Sequence, residues 1–306
     1  MRTPAAVIAY TNFPGIQLQV DGNSVLVNPG PGASGGDGEI RFKQGAGGET
    51  FYFPLLILAG GQLDNGSPGL ADIAGNLAVT TNSFIYVDST GGSGRTFQID
   101  ACLSGSGGLM YHDFDATMSG GLVLTCPTNT FTGTWSVDQG PLVGAGSNSL
   151  GTNSISLNAK GALETLYDIS SPAASLTLSN GAVMYLHQND TFQTVNVNGY
   201  ALSSGKWTFA QLAAAFPTTF PASWGPVPGS TFGTGSGSIT VLVGGGVPVP
   251  LVFQYASGSL TLTWSQGTLF QTTNVAGPWI ANTNATSPYV VTPTNAQQYY
   301  KIQTLP

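Results

Sequence analysis

The sequence is poor in charge: its 306 residues include only seven lysines and arginines and 14 aspartates and glutamates, for a formal net charge of -7. The basic residues are scattered singly, so they form no stripe that could neutralise a phosphate backbone. No apolar run approaches the roughly 20 residues that a membrane-spanning helix needs, and cations that could hold an anionic lipid surface are scarce. We therefore expect neither nucleic acid nor a membrane as a partner.

Cysteine is nearly absent too, since the chain has only Cys102 and Cys126. Their separation could place them in neighbouring coils of a repeat, either as a disulfide or as two buried free thiols. The N-terminal MRTPAAVIAYTNFPG lacks the apolar stretch of a secretory signal, which predicts that a leader has been removed or that the chain is cut from a larger protein. Low lysine content with abundant asparagine, threonine and glycine is typical of secreted or cell-surface proteins, and we expect that location.

Glycine is abundant, with 43 residues, in a chain that is 41% hydrophobic. Because the apolar residues stand in short alternating runs, the composition predicts a folded all-β protein with many turns rather than disorder. A glycine followed closely by leucine or valine recurs with a period near 20, at Gly121, Gly140, Gly161, Gly181 and Gly199. Strand-length pieces repeating at this period predict a β-solenoid whose coils stack to bury a common core.

Alternation along these strands predicts the inward side chains. We expect inward ladders that run across successive coils, formed by Ile155 and Leu157, Leu176 and Leu178, and Val195 and Val197. The wider prediction is a solenoid with its cap over residues 1–243, a linker over 244–250, and a small β-sandwich-like module over 251–306.

The stretch SSGKWTFAQLAAAF predicts a helix that caps the stack. Thr208 can cap its N-terminus, Phe209, Leu212 and Phe216 share one face, and Pro217 stops it. The later GSITVLV can return to the stack as one more strand. A cap has a physical purpose, because the open end of a solenoid exposes apolar core and an unpaired strand edge.

Three stretches read NTFTGTWSVDQGPLVGAGSNSLGTNSISLNAKGALETLYDI, MYLHQNDTFQTVNVNGYALSSGKWTFAQL and FPASW. They resemble the autotransporter-associated β-strand repeat proteins of secreted bacterial proteins. Near the C-terminus, LTLTWSQGTLFQTTNVAGPW and QQYYKIQ resemble a small β module often placed at the ends of such chains. The resemblance, from about residue 24 onward, implies a right-handed parallel β-helix and no catalytic motif. The same fold carries polysaccharide lyases, hydrolases and carbohydrate-binding modules, so function must come from a site.

The densest cluster of ionisable residues is YHDFDAT, with His112, Asp113 and Asp115. Asp113 and Asp115 alternate onto one strand face, where they could be the acid and base of a glycoside hydrolase, the centre of a lyase, or calcium ligands. The alternative is that both occupy a corner and accept backbone hydrogen bonds. His112 and His187 show no metal-ligand spacing, so we predict no bound metal, with calcium as the exception to test.

Aromatic residues favour binding over catalysis. On a flat outer face, rings from successive coils could stack on a sugar chain while polar side chains hold its hydroxyls. The predicted carbohydrate-binding residues are Tyr111, Asp113, Trp135, Tyr167, Tyr185 and Trp207. The alternative is that these rings lie in the core, because a one-residue change of register exchanges the two faces of a strand. Trp264 and Trp279 are expected to pack the C-terminal module.

The sequence therefore predicts a non-catalytic carbohydrate-binding module, a monomer without a cofactor, that binds a neutral β-linked plant cell-wall glycan such as xylan. We expect a catalytic domain to be linked to it in the native polypeptide. The first alternative is a polysaccharide lyase or glycoside hydrolase that uses Asp113 and Asp115. The second is a structural stalk or passenger segment on the cell surface.

Overall fold

The structure is a computed structural model that is mostly β, with 60% strand and 3% helix. The residues it describes are 15–21, 38–42, 49–66, 70–87, 95–114, 120–226, 233–244, 251–265, 267–275, 278–292 and 297–303. Residues 245–250, most of the predicted linker, lie outside this set. No helix among the described residues is long and apolar enough to cross a membrane.

A parallel β-solenoid of about six turns forms the larger part of the chain, as predicted. Its strands are β1 (Leu18–Asp21), β2 (Glu39–Phe42), β3 (Glu49–Ala59), β4 (Gln62–Asn65), β5 (Leu70–Thr81), β6 (Ser83–Val87), β7 (Thr96–Ile99), β8 (Cys102–Gly105), β9 (Leu109–Asp113), β10 (Gly121–Leu124), β11 (Trp135–Gly144), β12 (Ile155–Thr165), β13 (Ser170–Leu178), β14 (Val183–Tyr185) and β15 (Asn189–Val197). The longer strands bend at a corner, so that their two halves belong to different faces.

In-register parallel pairing stacks the strands into three faces. Face 1 contains β2, β4, β6, β9, the first halves of β11 and β12, and the second halves of β13 and β15. Face 2 contains the first halves of β3 and β5, then β7, β10, the second halves of β11 and β12, and β14. Face 3 contains β1, the second halves of β3 and β5, β8, and the first halves of β13 and β15.

The predicted core ladders are confirmed. Ile155 pairs with Leu176, which pairs with Val195, and all three side chains are buried. The ladder that begins at Leu157 continues in the same way through Leu178. Because each coil buries its apolar side chains only against its neighbours, the core runs as one continuous column along the axis.

A disulfide joins Cys102 to Cys126, which decides between the two predicted states of these cysteines. Their Cα atoms lie 5.2 Å apart, as expected for residues at similar places in neighbouring coils. The corner glycine Gly140 has a φ of 93°, which favours glycine. An added Cβ there would lie 2.4 Å from the Cβ of Asp113, so the close stacking of the coils also excludes a side chain.

The predicted cap is confirmed. It contains β16 (Tyr200–Ala201), β17 (Gly205–Thr208), α1 (Phe209–Ala215), β18 (Ser223–Trp224), β19 (Gly233–Thr234) and β20 (Ser238–Val241). Thr208 and Gln211 form a reciprocal capping box at the start of α1, and Leu212 is buried against the core. β20 pairs in parallel with β15, and β17 pairs with β20 in the antiparallel direction, so a reversed strand ends the parallel stack.

The C-terminal segment contains two three-stranded antiparallel sheets. Their strands are β21 (Val252–Ala256), β22 (Ser259–Thr263), β23 (Thr268–Thr272), β24 (Ile280–Asn282), β25 (Tyr289–Val291) and β26 (Tyr299–Gln303). The first sheet has the order β21-β22-β25 and the second the order β24-β23-β26. Leu262, Trp264 and Leu269 form their small core, so Trp264 packs this module as predicted.

Candidate functional site

The YHDF stretch of β9 places alternate side chains on opposite sides of face 1. Tyr111 and Asp113 point inward and are completely buried. His112 and the following Phe114 point outward, with their ring centroids 4.2 Å apart, and both are partly exposed. The predicted binding residues Tyr111 and Asp113 are therefore not accessible from outside the solenoid. The residues of YHDF that face solvent are the two that alternate with them.

A hydrogen-bonded chain of three side chains fixes the outward histidine. His112 Nδ1 lies 2.6 Å from Asp138 Oδ2, and Asn158 Nδ2 donates to Asp138 Oδ1 at 3.0 Å. Burial alone would raise the pKa of Asp138, but the hydrogen bonds from Asn158 and His112 and the charge of Lys160 lower it below its ordinary value. Since an ionised carboxylate only accepts, the N–H of His112 Nδ1 donates to Asp138 Oδ2.

A β-bulge brings Asp138 to this position. The register of β11 shifts between Val137 and Gln139 against both of its neighbours. Against β9, Asp138 is an extra residue in β11, whereas against β11 the next strand, β12, holds the extra residue. The Gln139 side chain then donates to the backbone carbonyl of Asp113 at 2.7 Å and ties the bulge to the coil before. With one third of its side chain exposed, Asp138 keeps contact with solvent.

Small polar side chains continue the surface along the solenoid axis. Ser136 pairs with Ser156, Ser156 with Thr177, and Thr177 with Asn196, and all four are half-buried on the outer side of face 1. Stacked strands lie about 4.8 Å apart, so this ladder repeats one polar group per coil. We call the surface made by His112, Phe114, Asp138, Asn158 and this ladder the face 1 strip.

The N-terminal half of face 1 is closed. Phe84 and Tyr86 point outward from β6, yet both are completely buried, with their rings stacked 5.9 Å apart. Asp64 in the preceding coil is also buried, and its carboxylate pairs with Arg41 at 2.9 Å. The open strip therefore begins at the coil that carries His112.

Two of the predicted binding aromatics are wrong, because Tyr111 and Trp135 lie in the core. Neither has any solvent exposure. Trp135 packs edge-on against Phe131 and donates its indole N–H to the carbonyl of Leu150 at 3.0 Å. Both side chains share the inward alternation of Val137, so no polymer outside the solenoid can reach them.

Tyr167 and Trp207 are half-buried and pack against the edge of the core. The Tyr167 hydroxyl accepts the Leu150 N–H at 3.0 Å, and burial raises the pKa of Tyr167 to about 12. Trp207 lies on β17 in the cap and donates to the carbonyl of Ser203 at 3.0 Å. Neither residue lies on face 1, so the predicted aromatics do not form one stacking surface.

Tyr185 points outward on face 2, but Trp224 stacks on it with ring centroids 5.1 Å apart. The Trp224 indole donates to Glu164 Oε1 at 3.2 Å, and His187 Nε2 lies 3.2 Å from the same oxygen. This cluster holds the segment around β18 against the solenoid. It covers face 2 at Tyr185, one of the predicted binding residues.

The predicted catalytic pair is not a surface pair. Asp113 has no exposure and points into the solenoid, because it alternates with His112. Asp115 lies outside the described residues. Within the described part of the chain, no three histidine, cysteine, aspartate or glutamate side chains group as metal ligands.

Comparison of the chain with protein-family models, curated proteins and solved structures finds no match. The parallel β-solenoid is a property of the structure, whereas the likeness to autotransporter-associated repeats stays a prediction from the sequence. Alternation in YHDF indicated that His112 and Phe114 share one side of the strand, but not which side faces solvent. Nothing local in the sequence pointed to the bulge at Asp138.

Proposed function

We propose that this protein is a secreted carbohydrate-binding module that holds an extended neutral polysaccharide along the face 1 strip. The observation that carries this proposal is the partly exposed pair of rings, His112 and Phe114, beside the ionised carboxylate of Asp138. A sugar has one apolar face and a rim of hydroxyls. The rings can stack on the apolar face, and the fixed carboxylate can accept hydrogen bonds from the hydroxyls.

The polar ladder supports a chain that runs along the solenoid axis. Ser136, Ser156 and Thr177 offer one hydroxyl per coil at a repeat of about 4.8 Å, which is comparable to the rise of sugars in a β-linked chain. Each hydroxyl adds little by itself, because it exchanges one hydrogen bond with water for one with the sugar. Affinity should therefore increase with the length of the oligosaccharide.

A neutral glycan fits the charge of the chain better than an anionic one. The protein carries twice as many acidic as basic residues, and the carboxylate at the centre of the strip would repel a polyanion. The disulfide suits an oxidising, extracellular location. In its specific form, the proposal is that the ligand is a plant cell-wall xylan. The module is then of the autotransporter-associated repeat type and is linked to a catalytic domain.

Affinity electrophoresis and calorimetry against soluble xylans, β-glucans, mannans and pectins test the proposal. Asp138→Ala should weaken binding of the best neutral ligand about tenfold or more, because a charged acceptor for sugar hydroxyls is lost. Phe114→Ala should weaken it through lost stacking. Asp168→Ala is the matched control: Asp168 is an exposed carboxylate that accepts the Asn189 N–H at 2.9 Å, away from the strip.

The same assays separate the alternatives when released reducing ends and unsaturated products are measured with and without calcium. Product released by wild type would establish an enzyme in place of the module. The absence of binding across the whole panel would leave the stalk. Equal loss of affinity in the Asp168 control and in the Asp138 variant would show that the strip is not the site.

A further inference from the structure

The charge of the C-terminal segment differs from that of the rest of the chain. All 14 acidic residues and six of the seven basic residues precede residue 251, so Lys301 is the only charged side chain among residues 251–306. No carboxylate side chain of this segment can therefore pair with Lys301. An isolated cation in an otherwise uncharged module is complementary to an anionic ligand.

Lys301 lies within an aromatic surface on the outer side of the second sheet. It is the cross-strand partner of Phe270, and its Nζ lies 5.6 Å from the Phe270 ring centroid and 4.7 Å from that of Trp279. Tyr299 precedes Lys301 by two residues on β26 and so shares its side of the sheet. We call these four residues the Lys301 surface.

The core of the module does not use these aromatic rings. Leu269, Tyr300 and Ile302 alternate with them on β23 and β26 and are the residues that pack the core. Phe270, Trp279 and Tyr299 lie outside that core and are half-buried. The prediction that Trp279 packs the module is therefore wrong: the indole lies beneath the Lys301 ammonium on the outer surface.

We propose that the Lys301 surface is a second carbohydrate site, specific for a sugar that bears a carboxylate, namely a uronic acid unit. The pyranose ring would stack on Trp279 and Phe270, and its carboxylate would pair with the Lys301 ammonium. Stacking supplies contact area, while the single cation supplies the preference for acidic over neutral sugars. This site is independent of the face 1 strip in ligand class and in the residues that form it.

The test uses calorimetry on the full chain with two matched ligands, an oligogalacturonate and the same oligomer with its carboxylates methyl-esterified. The acidic form should bind about twofold to fivefold more tightly than the ester, as expected for one exposed ion pair. Lys301→Met keeps an apolar stem over the rings and should make the two affinities equal. Raising the salt concentration to about 0.5 M should remove most of the same preference.

Trp279→Ala should weaken both ligands about tenfold, since stacking is lost whatever the charge of the sugar. Phe253→Ala is the control, because Phe253 is 72% exposed on the other sheet and should leave both affinities unchanged. The proposal is overturned if wild type binds neither ligand, if Trp279→Ala binds like wild type, or if Lys301→Met keeps the preference for the acid.

Discussion

Asp190 should make the stability of the solenoid depend on pH. It lies at the start of β15 with 1% exposure; its Oδ1 accepts the Ile169 N–H at 2.8 Å, and no described residue donates to its Oδ2. Burial, with a smaller contribution from the negative charge of Asp168, raises the pKa of Asp190 from 3.8 to about 7. The folded protein therefore holds a proton that the unfolded chain releases.

The sign follows from this raised pKa. The stabilising contribution of the Asp190 proton is fully present below about pH 4 and is lost as the pH rises to about 7. Between pH 5 and pH 8, the two pKa values correspond to a loss of roughly 2–3 kcal/mol in the free energy of unfolding. Asp190→Asn keeps the acceptor for the Ile169 N–H but cannot ionise, so it should not lose this contribution.

Urea unfolding of wild type and Asp190→Asn, followed by circular dichroism at pH 5 and pH 8, measures the effect. The quantity of interest is the difference between the two proteins at each pH, because other groups titrate equally in both. The variant should gain roughly 2–3 kcal/mol relative to wild type between the two pH values. A difference that does not change with pH would show that the Asp190 carboxyl is solvated and would refute the reasoning.

Two further predictions test the stacking of the coils. Replacing Cys102 and Cys126 together by serine should lower the free energy of unfolding by about 3 kcal/mol, because the disulfide closes a loop of 24 residues in the unfolded chain. Urea unfolding measures this loss, and wild type in reductant should match the variant. Gly140→Ala should cost about 2 kcal/mol or more, since its Cβ would meet the side chain of Asp113 and its φ is positive. Gly199→Ala is the control, with a φ of 84° and no atom within 4 Å of the added Cβ. It should cost less than Gly140→Ala in urea unfolding, and equal costs would exclude the clash.

Periodicity was enough to predict the solenoid, its core ladders and its cap. Ile155 and Leu157 are buried because strands of a stacked sheet alternate with period two, and a strong apolar alternation leaves only one side that can face the core. Thr208 and Gln211 form the cap of α1 because the signal for a helix start lies in adjacent residues. Such local patterns can be recognised in the sequence without knowledge of the neighbouring coils.

The sequence by itself determined that parallel coils stack and which apolar residues fill them, but only the tertiary structure decided which polar and aromatic side chains reach the surface. In YHDF every second residue is aromatic or charged whichever face is chosen, so the pattern did not specify the register that puts His112 outside. The contact of His112 with Asp138 depends on a bulge in the next coil, and Tyr185 is covered by Trp224 from a distant segment. These positions depend on packing between residues far apart in the chain, which no short window of sequence contains.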